Sequence, residues 1–160
     1  MTRRLAQCGE QGYTIIELVV VIVILGVIGV VAGPRFFSSS DFDGRAYYDE
    51  LSSALRYGQK VAVATGCPVR VSITSTSYAL SQQSALSGHC NPSDSSFPVA
   101  VLLPSGEAVT GNAPAGVTAA PATTFLFDAE GRTSLGGDEA LTVGGFSLTV
   151  EAGTGLVITP

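Results

Sequence analysis

Glu17 is the only charged side chain between Ile15 and Ala32; every other residue in that stretch is apolar or glycine. The run is long enough, as a helix, to cross a hydrocarbon core of about 30 Å. A carboxylate inside such a run costs on the order of a few kcal/mol in lipid, so it is retained for a purpose or escapes to the headgroups. Other candidate chemistry is sparse. His89 is the single histidine, so a Ser-His-Asp site would rest on that residue alone. The serines are abundant without a placed base. No GxxxxGK pattern cradles a phosphate. Asp128, Glu130, Asp138 and Glu139 could supply oxygens to calcium or be exposed loop charge. Cys67 and Cys90, with His89, are the remaining metal or redox candidates, but there is no CxxC pair and no second histidine. No enzymatic activity and no cofactor are expected from this inventory.

The residues before the apolar run carry a more specific pattern. Gly12-Tyr13-Thr14-Ile15-Ile16-Glu17 follows a short segment with Arg3 and Arg4, and Pro34 stands just beyond the run. This arrangement resembles the processing site of type IV prepilins and type II secretion pseudopilins. The resemblance implies that a membrane-bound prepilin peptidase cuts between Gly12 and Tyr13 and methylates the amino group of Tyr13. Relatives usually have Phe where Tyr13 stands, so the ring is kept and a hydroxyl added. Gly12 has no Cβ, which lets a protease approach its backbone closely. Cutting before the apolar segment, rather than after it, keeps that segment in the mature chain, unlike a secretory signal. The implied organisation is a cleaved leader at 1–12, a transmembrane and assembly helix at 13–34, and a domain at 35–160 outside the inner membrane. In this family the glutamate is linked to assembly: Glu17 would meet the cationic N-terminus of a neighbouring subunit. Gly29 and Gly33 give a small-xxx-small spacing, which either permits close helix packing or softens the helix near Pro34.

Composition bounds the partners. The 160 residues carry a net charge of −5, and the leader, with Arg3, Arg4 and Glu10, removes one positive charge more. The remaining basic residues, Arg35, Arg45, Arg56, Lys60, Arg70 and Arg132, do not cluster in the sequence. Nucleic-acid binding normally needs a basic patch, and none is expected here.

The elements that must position these residues follow from spacing. The segment Pro34 to Gly44, with Ser and Asp residues that prefer caps and turns and a glycine at its end, predicts a kink or short break. A helix is expected from about Arg45 to Thr65. Tyr47, Leu51, Ala54, Leu55, Gly58, Val61 and Ala62 make one face. Asp49, Glu50, Ser52, Ser53, Arg56, Gln59 and Lys60 make the other. Gly66 and Pro68 stop it. Val69–Ile73 alternates as a half-buried strand. Further strands are expected near 78–80, 99–103, 123–127, 141–143, 146–150 and 156–159. Gly144-Gly145 and Gly153-Thr154-Gly155 form turns between the last three. The Ser-rich stretch 81–98 and the Ala/Gly/Pro-rich stretch 111–121 read as loops. One long helix followed by short strands gives α+β: a helix packed on an antiparallel sheet.

The order of these segments is similar to that of minor pilins of the GspH/FimT group. It rests on Arg45–Lys60, Gly66-Cys67-Pro68-Val69, Phe125-Leu126-Phe127-Asp128, Gly131-Arg132 and the terminal Val150–Gly155. Within the group the likeness is strongest to minor pilins of the mannose-sensitive haemagglutinin (MSHA) type. The group's fold is a long N-terminal helix packed on a β-sandwich-like domain. The implied partners are the prepilin peptidase/N-methyltransferase, other major and minor pilins or pseudopilins, and the inner-membrane assembly platform. The implied role is starting fibre assembly or capping its tip; a secretion pseudopilin and an adhesive module with contact loops 81–98 and 111–121 stay open. Cys8 leaves with the leader. Cys67 and Cys90 remain outside the membrane, where an oxidising compartment favours a disulfide. Two free thiols or a metal pair are the alternatives.

Overall fold

The computed structural model describes residues 12–36 and 39–159, with side chains at 12–29 and from residue 42 onward. Residues 1–11 of the expected leader, including Cys8, lie outside the described residues. Two compact units divide the chain, Met1–Ser38 and Ser39–Pro160.

The first unit is the helix α1 (Ile15–Phe36, 22 residues). At 1.5 Å per residue it is about 33 Å long. From Ile15 to Ile28 its large apolar side chains are all substantially exposed, on every side of the helix. Among the described residues no helix is long and apolar enough to cross a membrane. Only the backbone of residues 30–36 is described, so the described apolar surface of α1 covers 15–29.

The second unit begins with α2 (Ser39–Thr65, 27 residues). It starts earlier than the sequence suggested, and it runs straight through Gly44. Across the stretch 34–44, where a kink or break was expected, the described residues 34–36 and 39–44 are helical; residues 37 and 38 lie outside the described residues. Gly44 is buried, and a Cβ built on it would sit 3.0 Å from the carbonyl oxygen of Gly144. Close approach of a β-turn, rather than helix breaking, explains the glycine. The helix ends on schedule: Gly66 takes a left-handed φ of 66° at the C′ position and Pro68 follows.

Among the described residues eleven strands follow, β1 (Val69–Ile73), β2 (Ser77–Gln82), β3 (Ala85–Leu86), β4 (His89–Cys90), β5 (Val99–Ala100), β6 (Thr110–Asn112), β7 (Ala119–Ala120), β8 (Thr123–Phe127), β9 (Glu139–Val143), β10 (Phe146–Val150) and β11 (Val157–Ile158). The first sheet has β1 at its centre, with β2 and β8 antiparallel on either side, and β5 and β6 both pairing with β2. The second runs β11-β10-β9-β7. β3 and β4 make a separate hairpin, so the stretch 81–98 is not wholly a loop. Likewise β6 and β7 add short pairings in and beside the stretch 111–121. The fold is α+β, as expected: a helix and antiparallel sheets.

Alternation decides the faces. Val69, Val71 and Ile73 are buried while Arg70 and Ser72 are not. Phe125 and Phe127, Leu141 and Val143, Leu148 and Val150 repeat the pattern in β8, β9 and β10. Together with Tyr47, Tyr48, Leu51 and Leu55 of α2 they form one core. Each fully buried leucine contributes on the order of 2 kcal/mol by burial alone. Because α2 serves both sheets, its buried face is wider than its sequence pattern. Tyr48 packs on Phe146, ring centroids 5.6 Å apart, and donates a hydrogen bond to the Ser147 carbonyl. Ser52, assigned from sequence to the polar face, is buried, its hydroxyl turned back onto the Asp49 carbonyl. Gln59, assigned to the same face, donates to the carbonyls of Gly131 (2.9 Å) and Thr154 (2.8 Å).

Candidate functional site

Gly12, Tyr13 and Thr14 precede α1 and belong to no helix or strand. A Cβ on Gly12 would meet nothing within 4 Å, and Tyr13 is 77% exposed, so the Gly12–Tyr13 peptide is open to another molecule. The local order comes from Thr14, a residue whose role the sequence reading passed over. Its hydroxyl accepts a hydrogen bond from the Glu17 N–H (3.3 Å), and its carbonyl accepts from the N–H groups of Glu17 and Leu18. Thr14-Ile15-Ile16-Glu17 is thus a capping-box sequence, which marks the helix start. Glu17 falls in the first turn, where the helix dipole favours a negative charge. Glu17, Tyr13 and the apolar residues that follow are all exposed.

Cys67 and Cys90 are joined in a disulfide, Cα atoms 5.5 Å apart. The bond ties the end of α2 to the β3–β4 hairpin, with His89 alongside at its exposed end. A second fastening holds the far side of this segment. Asp94 accepts hydrogen bonds from the Ser96 hydroxyl and the Ser84 and Ser96 amides. These bonds, the Ser96 hydroxyl foremost, hold its carboxyl well below the usual carboxylate range. Arg70 reaches across, lies 4.1 Å from the centre of the Phe97 ring and donates to the carbonyls of Ser95 and Ser96.

The acidic residues considered for calcium are not brought together. Asp128 and Glu130 both engage Arg132, at 3.2 Å each, in an exposed turn. Burial pushes the Asp128 carboxyl up, but the Arg132 amide and guanidinium outweigh it and pull it down. Asp138 accepts from the Ala152 amide, and Glu139 opens β9. Among the described residues no group of three or more His, Cys, Asp or Glu side chains could hold a metal.

Sequence reading missed a cleft between α2 and the strands at β2 and β6. It has a volume of about 670 Å³ and is lined chiefly by Glu50, Tyr57, Tyr78, Leu103, Glu107 and Val109. Tyr78 donates to the Glu50 carboxylate at 2.7 Å, and Tyr57 to the Leu102 carbonyl at 2.8 Å. Burial first, and the bond to Glu50 second, push the Tyr78 hydroxyl far above its ordinary value. Tyr47 lies behind it, ring centroids 6.0 Å apart, and its own hydroxyl is raised by burial and by Glu50. No periodicity announces this cleft, because its walls come from a helix, a strand and a loop.

A capped apolar helix with a first-turn carboxylate, joined in sequence to a disulfide-tied α+β domain, defines a pilin-like subunit. The comparisons agree with that class. Residues 48–159, well over half of the chain, match the family described as type II transport protein GspH. Residues 8–33 match the prokaryotic N-terminal methylation motif. The chain belongs to the GspH family and is a type IV pilin or pseudopilin. It is similar to the type IV narrow pilus major component PilA5 of Thermus thermophilus, 31% identical over 99 residues that cover 56% of this chain and 85% of the relative. No solved structure gives a significant match.

Proposed function

We propose that the chain is a membrane-anchored subunit of a type IV pilus, cut after Gly12 by the prepilin peptidase, methylated at Tyr13 and incorporated through Glu17. The observation that carries this reading is the open Gly12–Tyr13 peptide set directly before a capped, all-round apolar helix whose first turn holds Glu17. The match to the methylation motif supports it. An exposed apolar helix has two ways to leave water: lipid, then other helices of the same kind. In a bundle of such helices the Glu17 carboxylate meets the amino group of a neighbouring Tyr13. The pair sets the axial register, because leaving one buried charge without its partner costs about 3–5 kcal/mol. The domain from residue 35 onward then lies in the periplasm before assembly and on the fibre afterwards. Within the pilus we favour a minor subunit of MSHA (MshC-like) character acting at initiation or at the tip. The major-component relative makes the shaft the competing position.

Glu17→Gln tests the core of the proposal. Leader removal is expected to proceed as in the unaltered chain, while the amount recovered in sheared fibres falls at least about tenfold. Unchanged incorporation would overturn the proposed role of Glu17. A second reading, a pseudopilin serving protein export, is favoured by the GspH match. Deletion would then abolish secretion and leave piliation intact.

A further inference from the structure

We propose that the cleft between α2 and β2/β6 is a receptor for an arginine side chain presented by another protein chain, which on the reading above is a neighbouring subunit. The molecule shows what such a receptor needs. Arg45 caps the packed rings of Tyr48 and Phe146 from one side, 5.1 Å from each ring centre, with Asp49 at 3.2 Å. Two aromatic faces and one carboxylate seat a guanidinium through its planar charge. The cleft is lined by the same kinds of group: the aromatic residues Tyr57 and Tyr78, the latter largely buried, and the acidic residues Glu50 and Glu107.

Unlike the Arg45 site, the cleft holds no cation of its own. No basic residue lines it, and among the described residues neither Glu50 nor Glu107 forms an ion pair. Tyr78 occupies Oε1 of Glu50 and Ser105 reaches Oε2 of Glu107 at 3.3 Å, so each carboxylate keeps one oxygen for an incoming donor. Leu103 and Val109 supply an apolar floor for the methylene stem or for a flanking aliphatic residue. A volume of about 670 Å³ is ample for an arginine with its neighbours and far exceeds a bare metal ion. Gly111 keeps the back of the cleft open: a Cβ there would collide with both the Glu50 carboxylate and the Tyr78 ring.

The test uses the full chain in detergent micelles and titrates it with acetyl-Leu-Arg-Leu-amide. The Tyr57 and Tyr78 ring signals are followed by NMR. Saturable binding that moves both rings is expected. The citrulline peptide, equal in shape but neutral, should bind about tenfold more weakly. Glu50→Gln, which keeps an acceptor for Tyr78, and Glu107→Gln, which alters only an exposed loop, should each weaken binding severalfold. Absence of saturation, equal binding of the citrulline peptide, or unchanged affinity in either variant overturns the proposal. Spermine binding tenfold more tightly than the peptide would overturn the protein partner in favour of a polyamine. None of these readouts depends on leader removal or fibre incorporation. Failure of the cleft and failure of the pilus reading are therefore separable.

Discussion

Tyr78 ties its stability contribution to its proton. Its folded hydroxyl is raised above the ordinary 10.0, so the folded state binds that proton more tightly than the unfolded chain. The resulting stabilisation is complete below pH 10.0 and is lost as the pH climbs from there through the higher folded value. Tyr47, raised in the same direction, adds to the effect. Urea midpoints are expected to hold steady to about pH 9.5 and then fall, and Tyr78→Phe should flatten that fall while lowering the plateau by about 1 kcal/mol. A single glycine is equally specific. Gly144 has a φ of 56°, and a Cβ on it would lie 2.6 Å from the Gly44 Cα. Gly144→Ala meets backbone on one side and a disfavoured φ on the other. A loss of at least about 2 kcal/mol is expected in chemical denaturation. The same substitution at Gly136, with nothing within 4 Å, should be nearly silent.

Among the elements, the disulfide-held segment is the one whose removal has a calculable effect. Cys67 and Cys90 are 23 positions apart, and closing a loop of that length restricts the unfolded chain by roughly 3 kcal/mol. The double variant Cys67→Ala/Cys90→Ala is expected to melt roughly 10 °C lower by calorimetry. The anchors at Asp94 and Arg70 should keep the remainder of the stretch 83–97 in place. The elements also differ in how openly the sequence announced them. Val69–Ile73 and Phe146–Val150 could be read directly, because a strict period of two has no helical interpretation. Gly144-Gly145 was equally plain, since two successive left-handed residues suit a tight hairpin. β3, β4, β6 and β7 were not legible. They are only two or three residues each, Ala-Leu, His-Cys, Thr-Gly-Asn and Ala-Ala, too short to show a period and held by neighbouring strands rather than by their own preference. Gly44 was misread for a related reason: propensity sees a weak helix former, whereas packing needs a position without a side chain. The first turn of α1 was readable for Glu17 but not for Thr14, whose hydroxyl matters only once the helix start is known. The cleft had no sequence signature at all.

For the whole molecule, the decisive measurement is the intact mass of the chain recovered from membranes. The expected species lacks residues 1–12 and is one methyl group heavier than the trimmed chain. A full-length species would remove the basis for pairing Glu17 with Tyr13 of a neighbour. Net charge argues in the same direction as the fold. At −5 over 160 residues, with its arginines at 45, 70 and 132 already engaged by aromatic, carbonyl or carboxylate partners, the chain has little basic surface to offer a polyanion.

One amide carries a wider meaning than its size suggests. Gln59 grips the turn that follows β8 and the turn that precedes β11, and those strands belong to different sheets. A helix that lifts away from one sheet must release the other at the same moment. Neither sheet can then fray by itself, and the domain comes apart as one cooperative event, so pulling on α2 would meet a single sharp threshold instead of a gradual give.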